Sequence, residues 1–224
     1  ADDVMVNSIQ FKKDFKNKFN IKTKYIYNPF DKSLITKNNN NKKIFKKKSL
    51  KILSIGRLTS QKNHITLLKA AKLINPNLNP EISIIGKGSE YNNLKNYIKV
   101  NNLKNIVKLI GYKKQPYSYI QKSDIFVLTS KYEGLPNVLL EAQYLKKYII
   151  STSCPTGPRE ILLNGRAGDL FDVGNYKKLA SFINKYKFNK KNISIKIRTG
   201  SKNFRRFDYF ENFYKYYKFV SKNF

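Results

Sequence analysis

The stretch Thr129-Ser-Lys-Tyr-Glu-Gly-Leu-Pro-Asn-Val-Leu-Leu-Glu-Ala-Gln143 decides how the rest of the chain is read. It sets Glu133 and Glu141 eight positions apart, with Gly134, Leu135 and Pro136 between them. The apolar, partly β-branched run Ile125-Phe-Val-Leu128 comes just before it and reads as a buried strand of a parallel sheet. Pro136 suits the first position of a helix, where a missing N–H costs nothing. The N–H groups of Asn137 and Val138 then have no partner inside the helix, and they lie at the positive end of its dipole, which favours an anion. Glu133 falls in the loop at the carboxyl end of the strand, where open α/β sheets bind ligands. Glu141 falls on the stripe Val138, Glu141, Ala142, Leu145, and a carboxylate on a mostly apolar stripe needs a partner or a ligand. Taken singly, each Glu reads as a solvated residue. Taken together, the string suggests a phosphate at the helix start with hydroxyl groups around it.

Outward from this stretch the pattern is regular β-α-β. Strands are expected at Ile52–Ile55, Glu81–Ile85, Ile106–Ile110, Ile125–Thr129, Tyr148–Thr152 and Leu170–Phe171. Helices are expected at His64–Leu73, Glu90–Val100, Tyr117–Gln121, from Pro136, at 159–163 and at 175–187. Strands alternating with helices imply an α/β fold with a doubly wound parallel sheet over residues 50–187. Residues 1–30 hold a strand at Val4–Val6, an amphipathic helix with Ile9, Phe11 and Phe15, and a strand at Tyr25–Tyr27 ending in the turn signal Asn28-Pro29. Residues 31–49 read as a Lys/Asn-rich linker or loop. Residues 188–224 form a basic, aromatic tail with a terminal helix, whose rings suit packing on a neighbouring domain first, with stacking on nucleobases or lying on a membrane surface as the alternatives.

Composition narrows the functional classes. The 224 residues suffice for one sizeable α/β domain, or a domain and a piece of another. The chain begins at Ala1, and neither a signal peptide nor an apolar run near the ~18 residues of a membrane span is visible. One cysteine, Cys154, rules out an internal disulfide and fits a reducing compartment. The net charge of +31 rests on Lys, spread evenly and accompanied by Asn, while Arg occurs only at 57, 159, 166, 198, 205 and 206. Such a Lys/Asn bias is what an AT-rich genome writes. Attraction to an anionic membrane surface ranks second as its cause, and nucleic acid a distant third.

Several strands end in glycine, which lets backbone approach a ligand closely. Gly56-Arg-Leu-Thr-Ser-Gln-Lys62 puts a guanidinium and an ammonium at one strand end, a pair suited to a diphosphate. In a chain that uses Lys so freely, Arg57 and Arg159 stand out, because an Arg that persists there suggests a need for its fork geometry. Gly86-Lys-Gly88 lacks the third glycine of a dinucleotide fingerprint, yet it permits a nucleoside to come close. His64, the sole histidine, reads as a helix-start residue rather than a base, and no metal cluster can be argued.

Glu-x7-Glu with its embedded Gly-Leu-Pro-Asn-Val-Leu-Leu-Glu-Ala resembles the donor-site signature of the family-4 retaining glycosyltransferases, which have the GT-B fold. Ile55-Gly-Arg-Leu-x3-Lys62, Ile84-Ile-Gly-Lys-Gly88, Leu109-Ile-Gly-Tyr112 and Ile149 to Ile161 with its Gly-Pro-Arg-Glu are similar to further parts of that family's carboxy-terminal, Rossmann-like domain. Ala1 to Ser8 and Tyr27-Asn-Pro29 look like the end of the amino-terminal domain and the hinge. The resemblance implies transfer of a sugar from a nucleotide-diphosphate donor, UDP-linked, to a glycan or lipid-linked acceptor of the cell surface, with retention. It implies that Arg57 and Lys62 neutralise the leaving diphosphate and that Glu133 contacts the donor sugar. It further implies that Glu141 takes the ribose, that Gly134, Leu135, Asn137 and Val138 assist, that Gly56, Gly86 and Gly88 give room, and that Ile110 and Gly111 hold the base. Arg159 is an additional candidate. No metal or other cofactor is expected, since the cations replace it. The family's first domain is missing apart from its end, so this chain alone should be inactive. A cytoplasmic place, peripheral at the inner face of the membrane, is the expectation. The alternatives are a basic Rossmann-like module for nucleic acid or anionic surfaces, and a GT-B-like sugar epimerase.

Overall fold

The computed structural model describes residues 4–36, 44–46 and 48–221. The opening Ala1-Asp-Asp3 and the Asn/Lys run 38–43 lie outside the described residues. A small unit opens the chain: β1 (Val4–Val6), α1 (Ile9–Phe19) and β2 (Thr23–Tyr25), with β1 and β2 paired in parallel. A turn of helix, α2 (Ser33–Thr36), follows inside the segment read as a loop, and buries Ile35.

The main sheet comprises β3 (Leu50–Ile55), β4 (Pro80–Ile85), β5 (Val107–Gly111), β6 (Ile125–Leu128), β7 (Tyr148–Thr152) and β8 (Asp169–Phe171). All neighbours are parallel, in the order β5-β4-β3-β6-β7-β8. The helices between them are α3 (Ile65–Ala71), α4 (Tyr91–Val100), α5 (Tyr117–Lys122), α6 (Asn137–Tyr144), α7 (Pro158–Ile161) and α8 (Tyr176–Asn184). Successive strand residues serve opposite faces. Ile52, Ile125 and Val127 join the core under α3, α4 and α8, while Leu53, Phe126 and Leu128 join the core under α5 and α6. Burial on both faces is why these strands are continuous apolar runs rather than alternating ones. The chain moves outward from β3 to β5, then returns to place β6 on the other side of β3. The crevice between the carboxyl ends of β3 and β6 is therefore the switch point, where such sheets bind ligands.

Three local expectations need correction. The second short strand is Thr23–Tyr25, two residues before the expected Tyr25–Tyr27; Ile26 and Tyr27 are buried as a loop leading to the turn. Pro136 precedes α6 in extended conformation (ψ 103°) instead of opening it, and its carbonyl accepts from the Leu139 N–H at 3.0 Å. The tail contains two helices, α9 (Lys190–Asn203) and α10 (Tyr209–Val220), not one. Between them the chain folds back onto the segment after β2: the Phe30 N–H donates to the Phe207 carbonyl at 3.2 Å, and Phe207 is fully buried. Asp208 caps α10 through the Phe210 and Glu211 amides.

Candidate active site at the switch point

The loops after β3 and β6 face each other across the crevice and are tied together. The Lys131 N–H donates to the Gln61 carbonyl at 2.8 Å, Gln61 Nε2 to the Tyr132 carbonyl at 3.0 Å, and Thr129 Oγ1 to the Lys62 carbonyl at 2.8 Å. Across this seam Lys62 Nζ meets Glu133 Oε1 at 2.5 Å, and Ser130 Oγ donates to the same oxygen at 2.6 Å. Lys62 and Glu133 are only 14% and 7% exposed, so water screens this ion pair weakly. Gly56 makes room for it, since a Cβ there would stand 3.3 Å from Lys62 Cδ. Arg57 is exposed, and among the described residues its Nη2 donates to Gln61 Oε1 alone, at 3.2 Å.

Gly86 and Gly88 have a packing role. A Cβ on Gly86 would stand 1.9 Å from the Gly56 carbonyl oxygen, and one on Gly88 would stand 2.4 Å from that of Leu58. Without side chains there, the β4 loop can close onto the β3 loop. The Gly111 carbonyl accepts from the Gly86 N–H at 3.1 Å, which puts Ile110 and Gly111 one strand beyond.

Glu141 is half-buried on α6, and among the described residues no hydrogen bond or ion pair meets its carboxylate. Burial alone pushes its pKa up to about 7. Burial also raises the Tyr117 phenol, with the Glu141 and Asp31 charges adding to it. Since α6 starts at Asn137, the Asn137 and Val138 amides belong to its first turn, with no helical carbonyl behind them. The loop 133–136 is clamped from beyond: Thr156 Oγ1 donates to the Glu133 carbonyl, and Gly157, at φ 66°, lies so close that a Cβ would fall 2.0 Å from the Gly134 oxygen. His64 stands just ahead of α3 with Nδ1 3.3 Å from Ser54 Oγ, and burial lowers its pKa to about 4, leaving it neutral. No group of three or more His, Cys, Asp or Glu that could hold a metal occurs among the described residues.

The family profile for glycosyl transferases group 1 matches residues 36–199, well over half of the chain. The chain belongs to this family. An uncharacterized glycosyltransferase of Methanocaldococcus jannaschii is 36% identical over 172 residues, covering 72% of this chain and 42% of that protein. The amylovoran biosynthesis glycosyltransferase AmsD of Erwinia amylovora is 34% identical over 119 residues, covering 53% of this chain and 34% of that protein. The chain thus spans less than half the length of these relatives. Among solved structures, Anabaena HepE in complex with UDP superposes with a TM-score of 0.86 at 22% identity, over 99% of this chain and 64% of that one. Pneumococcal GtfA in complex with UDP and GlcNAc gives 0.80 at 18%, over 99% and 45%. These likenesses establish a Rossmann-like α/β fold of the GT-B type.

In this group-1 glycosyltransferase chain Arg159 lies outside the seam. Its Nε donates to the Ser153 carbonyl at 3.3 Å, and it lines a cleft of about 760 Å³ facing Ile9, Lys13 and Lys18 of the α1 region. Its neighbour Glu160, which the sequence reading passed over, ties three segments together. The Glu160 carboxylate accepts from the Ile9 N–H at 3.2 Å and from the Tyr27 hydroxyl at 2.5 Å, while its carbonyl accepts from Arg206 at 3.0 Å. Burial, then Glu160 itself, hold the Tyr27 phenol well above its usual range. An acidic residue beside a suspected Arg was the available signal, but partners so far apart in sequence could not be named.

Proposed function

We propose that this chain is the donor-binding part of a family-4 retaining glycosyltransferase, which moves a sugar from a UDP-sugar to a glycan or lipid-linked acceptor. The observation that carries the reading is the shielded Lys62–Glu133 pair at the switch point, with the partnerless carboxylate of Glu141 on the helix that follows. Arg57 swings from Gln61 to the diphosphate and, with Lys62, stabilises its charge as it leaves; such preorganised electrostatics is the largest catalytic term. The Asn137 and Val138 amides support the same charge, beside Gly134 and Leu135. Glu141 accepts from the ribose hydroxyls, which favours its charged form and releases a proton near pH 7. Glu133 orients Lys62 and contacts the donor sugar, and backbone at Ile110 and Gly111 holds the base. Relatives support the acceptor class: one in Campylobacter jejuni is named for transfer of N-acetylgalactosamine to a diphospho-undecaprenol-linked sugar. The place proposed is the inner face of the cytoplasmic membrane, held peripherally by the +31 charge.

Calorimetric titration with UDP, GDP and ADP, with and without magnesium, tests the reading. UDP should bind without magnesium. No binding of any of the three at millimolar concentration, or binding only with magnesium, refutes it. The chain alone should transfer almost no sugar, because catalysis needs both reactants oriented and its relatives extend well beyond the matched part.

A further inference from the structure

Ser194, Ile197, Arg198, Ser201, Lys202 and Arg205 recur at three- and four-residue steps, so they form one stripe along α9 and into the turn that follows. With Lys146 at the end of α6 they line a groove of about 560 Å³. Four of these seven residues are cations and none is acidic. Among the described residues no carboxylate pairs with Lys146, Arg198, Lys202 or Arg205, whereas Lys196 on another side of α9 pairs with Asp169 at 2.5 Å. Two of the chain's six arginines stand in this groove, although 39 of its 45 cations are Lys (45 − 6 = 39). Even spreading of a basic composition does not place them there.

Arg205 also lines a second cleft, of about 420 Å³, walled by Phe30, Tyr144, Phe204 and Phe210 together with two carboxylates, Asp31 and Asp208, the latter engaged in capping α10. Phe30 and Phe204 pack edge to face at 4.9 Å, and Phe210 projects outward, 75% exposed. A cation row joined to an aromatic cleft matches the border of a bilayer, where phosphates lie above apolar tails. The spacing opposes a single free anion: from Arg198 to Arg205 the helix rises about 10 Å, so the cations face several phosphates rather than converging on one. The rings wall a cleft and pack on one another instead of forming the open row of faces that stacked nucleobases need.

We propose that the α9 stripe and the adjoining aromatic cleft form the surface by which this protein docks on an anionic membrane, the groove receiving lipid phosphates. This deepens the membrane placement above and does not depend on the sugar-transfer reading, so UDP titration reports on that reading separately.

The test is co-sedimentation of the whole chain with phosphatidylcholine vesicles containing 30% phosphatidylglycerol, against pure phosphatidylcholine. One variant carries Arg198→Gln, Lys202→Gln and Arg205→Gln. The control carries Lys95→Gln, Lys99→Gln and Lys104→Gln, which removes the same charge from exposed positions at α4. Each cation held near an anionic surface strengthens partitioning about fivefold, so the groove variant should bind on the order of a hundredfold more weakly than wild type. The control should lose less than tenfold, and Phe210→Ser should weaken binding further in either background. Equal losses in groove and control variants would mean that net charge alone attracts the membrane, and would overturn the proposal. So would tighter binding of a single-stranded oligonucleotide than of the anionic vesicles through the same residues, or protection of the groove by millimolar inorganic phosphate without a vesicle preference. Matching melting curves for the variants exclude unfolding as the cause.

Discussion

Replacing Glu141 by Gln should stabilise the ligand-free protein at pH 8 and leave its stability nearly unchanged at pH 4.5. Burial pushes the wild-type carboxyl up to about 7 in the folded protein, from an ordinary value of 4.5. Between those values the folded state holds more proton than the unfolded state, so stability falls as pH rises, and the whole penalty is present above pH 7. That displacement corresponds to about 3 kcal/mol at most. Solvent reaching the half-exposed group reduces it to roughly 1–3 kcal/mol. For a chain of this size that is a rise in Tm of roughly 2–12 °C. His64 acts in the opposite sense: it is held at about 4 against 6.5, so the unfolded state takes up the proton between those values and stability rises with pH there. The two slopes offset each other in the wild type, and only the difference between wild type and Glu141→Gln isolates the carboxylate. Urea denaturation of both proteins at pH 4.5, 6, 7 and 8 measures it. UDP titration of the same pair should show affinity lost roughly 10- to 150-fold, as for a hydrogen bond to a charged group. A stability difference that does not grow with pH, or UDP binding that is equal in the two, refutes the reasoning.

Arg57→Ala should weaken UDP binding by roughly 1.5–3 kcal/mol with little change in melting temperature, because among the described residues the exposed guanidinium holds Gln61 alone; calorimetry with matched melts checks both halves. Glu133→Gln leaves the Lys62 ammonium shielded without its carboxylate, so stability should fall by roughly 3 kcal/mol. UDP affinity should nevertheless stay within a few-fold or increase, since Lys62 is then free for phosphate; a large loss of UDP binding would show that Glu133 touches the nucleotide itself. Tyr27→Phe removes a hydrogen bond to the Glu160 carboxylate and should lower stability by roughly 1.5–3 kcal/mol, and proteolysis should then cleave sooner between Pro29 and α2.

Much of the main sheet was legible because its strands are buried on both faces and therefore written as unbroken apolar runs, as at Ile125–Leu128. α9 was not legible. Its fourteen residues, Lys190–Asn203, bury only Ile193 and Gly200, and Asn, Ser, Thr and Gly give it weak helical propensity. What holds it is packing: Gly200 brings the helix so near α6 that a Cβ would stand 3.2 Å from Gln143 Nε2. In the site, position put Glu133 on the loop after β6 and Glu141 on the helix that follows, but the Lys62 partner lies 71 positions from Glu133 and shows itself only through the adjacency of β3 and β6. The Pro136 placement failed because Gly157 packs against the Gly134 carbonyl and the Pro136 ring and leaves Pro136 extended, overriding the preference of proline for the first helical turn.

The bond from Phe30 to Phe207 clasps the segment after β2 to the turn between α9 and α10 across 177 positions (207 − 30), with Tyr27, Phe204 and Arg206 stacked about it. Closing so long a loop opposes association by roughly 4–5 kcal/mol of chain entropy, which only the finished sheet can offset by holding both ends nearby. The clasp therefore belongs to the last step of folding, and β1, α1 and β2 stay loosely held until it forms. In hydrogen exchange the amides of Phe30 and Asn212 should exchange together and well before those of β3 and β6, so the molecule opens as a buckle does, from the fastening and not from the strap.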